Sequence, residues 1–346
     1  MRNLATLAFL IAGASALMAD GTGPFSGQAA KPEYDIWMYP HGPGGTRQTA
    51  SVYTALPSPA SETGVEDRFA QFVLKFNTAG IARPGLGADN YHPERVVLTA
   101  MVQGFIIYDP TEDARQTSEA NGPPDLDEGR PIEVHGTGFR GTATSANYNE
   151  TSPFGSSSIH GRNAYAMGYS PEGVARDVSH NVTEKFDSIP WGIGRALARP
   201  AEGEPYEELQ PGDNIPYNAL IEFELNLSLP GVAGYVRESL NKGYIWLTIS
   251  SLHSTTQMAA SGYPVFFTKE NPEEALYGDA AAFLKVDYSL PIRILSFNRN
   301  ETAGTAAISW NGSPGFKYEL QRSENLTTNS WFPVNTQQPT TAASLT

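Results

Sequence analysis

"ALIEFELNLS" runs from residue 219 to 228 and alternates without a break. In an extended chain Ile221, Phe223, Leu225 and Leu227 fall on one face, and Glu222, Glu224 and Asn226 on the other. A strand written this way buries one face and wets the other, the mark of an antiparallel sheet. The same period recurs in "AQFVLKFN" (70–77), with Phe72, Leu74 and Phe76 opposite Gln71, Val73 and Lys75. It recurs again in "AAFLKVDYS" (281–289), where Ala282, Leu284, Val286 and Tyr288 oppose Phe283, Lys285 and Asp287. "RVVLTAMVQGFIIYD" (95–109) is a longer apolar strand that Gly104 should bend. "PIEVHGTGF" (131–139), "GYIWLTISS" (243–251) and "PVFFTK" (264–269) extend the set, and the acidic text after residue 269 reads as a helix-poor loop. One helix stands out, "PGVAGYVRESLNKG" (230–243). Val232, Tyr235, Val236 and Leu240 share a face, Pro230 fits its start, and Lys242 with Gly243 fits its end. The expected fold is all-β: a large jelly-roll-like antiparallel β-sandwich with one short helix over the end of a sheet.

Composition narrows the function. The chain has 346 residues, with 33 Gly and 26 Pro, which suits many turns and short strands. The formal net charge of −14 repels phosphate backbones and argues against a nucleic-acid partner. There is no cysteine, so disulfides, thiolate metal sites and a Cys nucleophile are excluded. Arg2, the apolar run from Leu4 to Met18 and the small residues before Asp20 read as a signal peptide over 1–19. That run is shorter than the ~20 residues a membrane span needs. The expectation is an exported bacterial protein, secreted or at the cell surface, without a membrane span in the mature chain. Residues 20–33 read as a flexible arm and 34–290 as the sandwich. A composition change at "LPIRILSFNRNETAG" opens a second all-β unit over 291–346, with Trp310 and Tyr318 as its anchors.

Catalytic motifs are missing. The six histidines form no H-x-x-x-H or H-x-H pair, and no G-x-S-x-G elbow occurs. "GPGG" (42–45) and "GTGFRG" (136–141) lack the context of nucleotide loops and read as turns. No catalytic residue is assigned. The enzymatic alternative is a polysaccharide-active enzyme with paired carboxylates, for which Glu222 and Glu224 have suitable spacing on one strand face; solvated surface charge is the simpler reading. "DPTEDA" (109–114) and "DLDEG" (125–129) could hold a structural calcium, though neither has an ordered ligand spacing. No other cofactor is expected. "YDIWMYPHGPGG" (34–45) carries Tyr34, Trp37 and Tyr39, and exposed aromatic faces of this kind stack on sugar rings; Trp37 as a core residue is the competing reading.

"DRFAQFVLKFNT" (67–78), "RVVLTAMVQGF" (95–105), "ARDVSHNVTEKF" (175–186), "NKGYIWLTISS" (241–251) and "FFTKENPEEALYGDAAAFLKVDYS" (266–289) resemble, in order, the successive motifs of secreted DNRLRE/CBM96-type domains. The Pro before the closing strand is missing, and the middle of the domain is long. The tail "ISWNGSPGFKYELQRSENLTTNSWFPV" (308–334) is similar to a short fibronectin-III-like module of planctomycete and verrucomicrobial type, matched at Trp310, Gly315, Tyr318, Ser323, Leu326 and Trp331. A further strand normally follows in that module, so an abbreviated immunoglobulin-like unit is expected. The resemblance implies a non-catalytic carbohydrate-binding or cell-surface module whose partner is a polysaccharide or surface glycan. A structural or adhesive envelope component is the alternative. If the glycan is acidic, basic residues must read it. The candidate ligand residues are Trp37, Tyr39, Arg47, Arg68, Lys75 and Arg162, with Arg95 nearby.

Overall fold

The computed structural model describes residues 31–40, 47–54, 68–104, 106–110, 131–184, 186–253, 262–277 and 280–290, and the backbone of strands at 8–13, 26–29, 294–300, 305–310, 318–323, 331–337 and 344–345. The chain divides into two compact units, Pro24–Tyr288 and a smaller one made of Met1–Gly23 with Ser289–Thr346.

The larger unit is an antiparallel β-sandwich. One sheet has seven strands. Its main path runs from Ala175–Asp177 through Ala164–Tyr169, Ile132–Phe139, Tyr244–Ser251 and Gln71–Asn77 to the edge strand Tyr34–Met38. The other has eight strands, among them Arg195–Ala198, Ala219–Glu224, His92–Val102, Val265–Phe267 and Thr49–Ser51. Phe72 from the first sheet and Phe266 from the second stack with centroids 5.9 Å apart, so the inward faces meet in a common core. The alternation at 219–224 holds: Ile221 and Phe223 are buried and Glu224 is exposed. Ser26–Ala29, within the segment read as an arm, is itself a strand. It pairs antiparallel with the closing strand Phe283–Ser289, Ser26 opposite Asp287 and Ala29 opposite Leu284.

Gly104 does more than bend its strand. It sits at φ 85° between Val102 and the short strand Ile106–Ile107, and an added Cβ would lie 2.3 Å from the Pro216 carbonyl oxygen. The helix spans Val232–Lys242 and buries Val232, Val236 and Leu240. Gly243 closes it in the left-handed region, its N–H reaching the Ser239 and Leu240 carbonyls. A second helix, Pro272–Tyr277, falls where a helix-poor loop was expected. Its start obeys helix rules: Pro272 needs no donor partner in the first turn, and Glu273 and Glu274 favour the positive end of the dipole.

The 71–77 strand departs from its one-sided reading. Gln71, Val73 and Lys75 are buried too: Val73 packs against Tyr148 of the segment 140–163, Gln71 donates to Ser179, and Lys75 lies among Tyr34, Tyr244 and Trp246. Tyr148 from that segment joins Ile36, Met38, Val73 and Trp246 in a second apolar layer. The Trp246 indole N–H donates to the Ser145 carbonyl at 2.9 Å and holds the segment down.

In the smaller unit, Ile294–Asn300, Thr305–Trp310 and Ser344–Leu345 form one three-stranded sheet. Ala8–Gly13, Tyr318–Ser323 and Trp331–Gln337 form another. The strand Ala8–Gly13 lies within the segment read as a signal peptide. The side chains of Trp310 and Tyr318 lie outside the described residues.

Candidate functional site

Period two on the edge strand Tyr34–Met38 puts Asp35 and Trp37 on one face and Tyr34, Ile36 and Met38 on the other. Trp37 is half-buried, and its indole N–H donates to the Ser51 carbonyl at 2.8 Å. Tyr39 stacks on it with centroids 4.4 Å apart at 10°, and the Arg47 guanidinium stands 4.7 Å from the ring centre. Tyr39 also meets Phe69 edge-on at 5.4 Å. The fold thus gathers Trp37, Tyr39 and Arg47, but it spends the indole's stacking surface on the chain's own groups.

The other basic candidates turn inward. Arg68 is fully buried. It pairs with Glu133 at 2.5 Å and donates to Asn181, Ser188 and Ser250. Arg162 is fully buried and donates to the carbonyls of Arg68 and Phe69 at 2.7 and 3.1 Å. Lys75 meets Glu33 at 3.0 Å and lies 4.8 Å from both the Tyr34 and Tyr244 ring centres. A guanidinium or ammonium is tolerated inside only when paired, and each of these has been given partners. Arg68 and Arg162 are core polar residues that present no charge to a surface glycan, and the Lys75 charge is taken up by Glu33. Arg95 is at the surface, paired with Glu224 at 2.9 Å. Glu222 pairs with Arg195, so the two strand-face carboxylates are bound to arginines on neighbouring strands and do not face each other across a gap. Of the calcium candidates at 109–114 and 125–129, all but Asp109 and Pro110 lie outside the described residues.

Two arrangements that the sequence did not indicate carry more chemistry. The first is a cleft of about 470 Å³ beside the eight-stranded sheet. Its apolar floor includes Met101, Ala198 and Ala280, and its walls carry Arg199, Glu202, Tyr206, Tyr217, Asn218 and Glu273. Tyr217 is exposed, packs edge-on against Phe267 at 5.7 Å and donates its hydroxyl to Glu273 at 2.6 Å. The Arg199 guanidinium lies 4.5 Å from the Tyr206 ring centre. Asn218 occupies the left-handed region at φ 63°, and its side-chain oxygen is buried without a hydrogen-bond partner. An asparagine tolerates that backbone better than most residues.

The second arrangement surrounds Lys269, just beyond the strand Val265–Phe267. Oxygens of Asp35, Glu150 and Glu270 lie within 4.8 Å of one another. The Lys269 ammonium sits among them, hydrogen-bonded to Glu150, 3.5 Å from Asp35 Oδ1 and 3.6 Å from Glu270. It supplies the positive charge that a cation would otherwise bring. Burial pushes the Asp35 carboxyl up to about 7 against the opposing pull of Lys269. Burial works to lower the Lys269 pKa, but Glu150, Asp35 and Glu270 together raise it. A third group of ionisable side chains joins His160 and His180, whose ring centres are 6.3 Å apart. Both ring nitrogens of His180 are buried without a hydrogen-bond partner.

Comparison with protein families, with curated proteins and with solved structures finds no match. Among the described residues no helix is long and apolar enough to cross a membrane.

Proposed function

We propose that the protein is an exported, non-catalytic glycan-binding module that takes a saccharide in the cleft between Tyr206 and Tyr217. The observation that carries this reading is the cleft's lining. Its volume is in the range of small-ligand sites, and it combines aromatic surface with few, planar polar groups. Sugar rings present C–H faces to aromatics and hydroxyls to carboxylates, amides and guanidinium groups. The site therefore differs from the edge-strand aromatics: Trp37 and Tyr39 brace each other, whereas Tyr217 is exposed.

The test is a glycan array on the full chain, followed by calorimetry on the best neutral and uronate oligosaccharides. Tyr217→Ala should weaken binding about three- to tenfold, the equivalent of ~0.5–1.5 kcal/mol for one aromatic contact. Arg199→Ala should cost more for a uronate than for a neutral sugar. No binding to any glycan, or binding untouched by Tyr217→Ala, would leave the envelope-scaffold reading.

A further inference from the structure

Asp35 and Lys269 are 234 residues apart in sequence and lie on or beside strands of opposite sheets. The Asp35 side chain is completely buried. Its two oxygens are treated differently. The Lys269 backbone N–H donates to Oδ2 at 2.6 Å, whereas Oδ1 has no hydrogen bond and faces the Lys269 ammonium at 3.5 Å. Glu150 accepts from that same ammonium. An amine, a water-shielded carboxyl and a proton acceptor therefore share one pocket, and the glycan cleft uses none of them.

We propose that Lys269 and Asp35 condense to an intramolecular amide bond that ties the two sheets together, with Glu150 carrying the protons. The ammonium passes one proton to the Glu150 carboxylate. The freed nitrogen lone pair attacks the Asp35 carboxyl carbon, and a C–N bond forms. Negative charge gathers on Oδ2, where the Lys269 backbone N–H already points, in the manner of an oxyanion donor. The C–Oδ1 bond then breaks. Protonated Glu150 gives its proton to Oδ1 as that oxygen leaves, so water departs. The Glu150 carboxylate then takes the second nitrogen proton and passes it to solvent. Nothing is oxidised or reduced, and no co-reactant is needed.

Three features favour the step. The groups are held in reach by the fold, and such intramolecular placement replaces an encounter in solution. Burial pushes the Asp35 carboxyl up to about 7, so a large share of it is protonated and electrophilic at neutral pH. The same burial shields the product from hydrolysis. The surrounding carboxylates hold Lys269 charged, so proton transfer to Glu150 sets the pace and the bond matures slowly after folding.

The test is the intact mass of the folded full chain, followed by tandem mass spectrometry of its tryptic digest. The wild type should be one water lighter than its sequence, with a branched peptide joining residues 35 and 269. Lys269→Arg and Glu150→Gln, checked as folded by circular dichroism, should keep the full mass. A folded wild-type chain at full mass after prolonged incubation overturns the proposal. So does a water loss that maps to a different pair or to a backbone succinimide. Because the readout is mass, it is independent of whether any glycan binds.

Discussion

Replacing Arg68 should destabilise the sandwich, not blunt its recognition. The side chain is fully buried and pairs with a Glu133 carboxylate that is itself 1% exposed. It also donates to Asn181, Ser188 and Ser250, so one truncation removes four interactions. Arg68→Ala leaves the Glu133 carboxyl buried without its guanidinium partner, and breaking a buried pair from one side costs about 3–5 kcal/mol. For a domain of this size each kcal/mol moves Tm by roughly 2–4 °C, so a drop of roughly 6–20 °C is expected. The second arm removes both charges. Arg68→Met with Glu133→Gln keeps a hydrogen-bonding partner for His135, which meets Glu133 at 3.2 Å. That double variant should recover at least half of the loss, about 2 kcal/mol, because no unpaired charge is left in the core. Calorimetry and urea titration measure both arms. If Arg68→Ala keeps the wild-type Tm and instead abolishes glycan binding, the guanidinium belongs to a ligand face and the inward assignment fails.

Two further outcomes are expected. His180 is held down to about 4, first by burial and then by the Arg162 charge. Its folded pKa is therefore depressed below the unfolded value near 6.5. The unfolded chain binds the extra proton between those limits, and stability falls as pH drops from about 6.5 to about 4. Urea midpoints across that window should show a loss that His180→Gln lacks; parallel curves would sink the idea. Gly104→Ala should cost about 1–3 kcal/mol, since φ 85° is strained for a side chain and the new methyl meets the Pro216 carbonyl; a variant within ~0.5 kcal/mol of wild type would contradict it.

The strands were legible because their inward faces repeat every second residue. The sheet's outer layer was not. Val73 sits on the face shared with Gln71 and Lys75, and nothing local announces that residues 140–163, polar in composition, return to pack Tyr148 against it. Hydrophobic alternation describes one strand, whereas burial of the other face depends on a segment some seventy residues away. The short 272–277 helix did carry a signal, Pro272 followed by two glutamates, but it is too brief for apolar periodicity to register. For the same reason basic residues drew attention as ligand contacts when Arg68 and Arg162 are interior ties. The cleft has no linear signature. Arg199 and Tyr206 sit in a polar stretch, and Tyr217 flanks a turn, so only folding brings them beside Glu273. Asp35 and Lys269 are likewise joined by topology alone.

The pairing of Ser26–Ala29 with Leu284–Asp287 has a mechanical meaning. Ser26 and Asp287 are opposite one another, so the chain enters and leaves this ladder at the same end. Tension applied along the polypeptide would open its rungs one after another, like a zip. A ladder loaded in shear would resist with all its rungs together. The domain's ends should yield at low force, and the peeling would then travel toward Asp35. A covalent tie there would halt the extension and keep the rest of the sandwich folded under load.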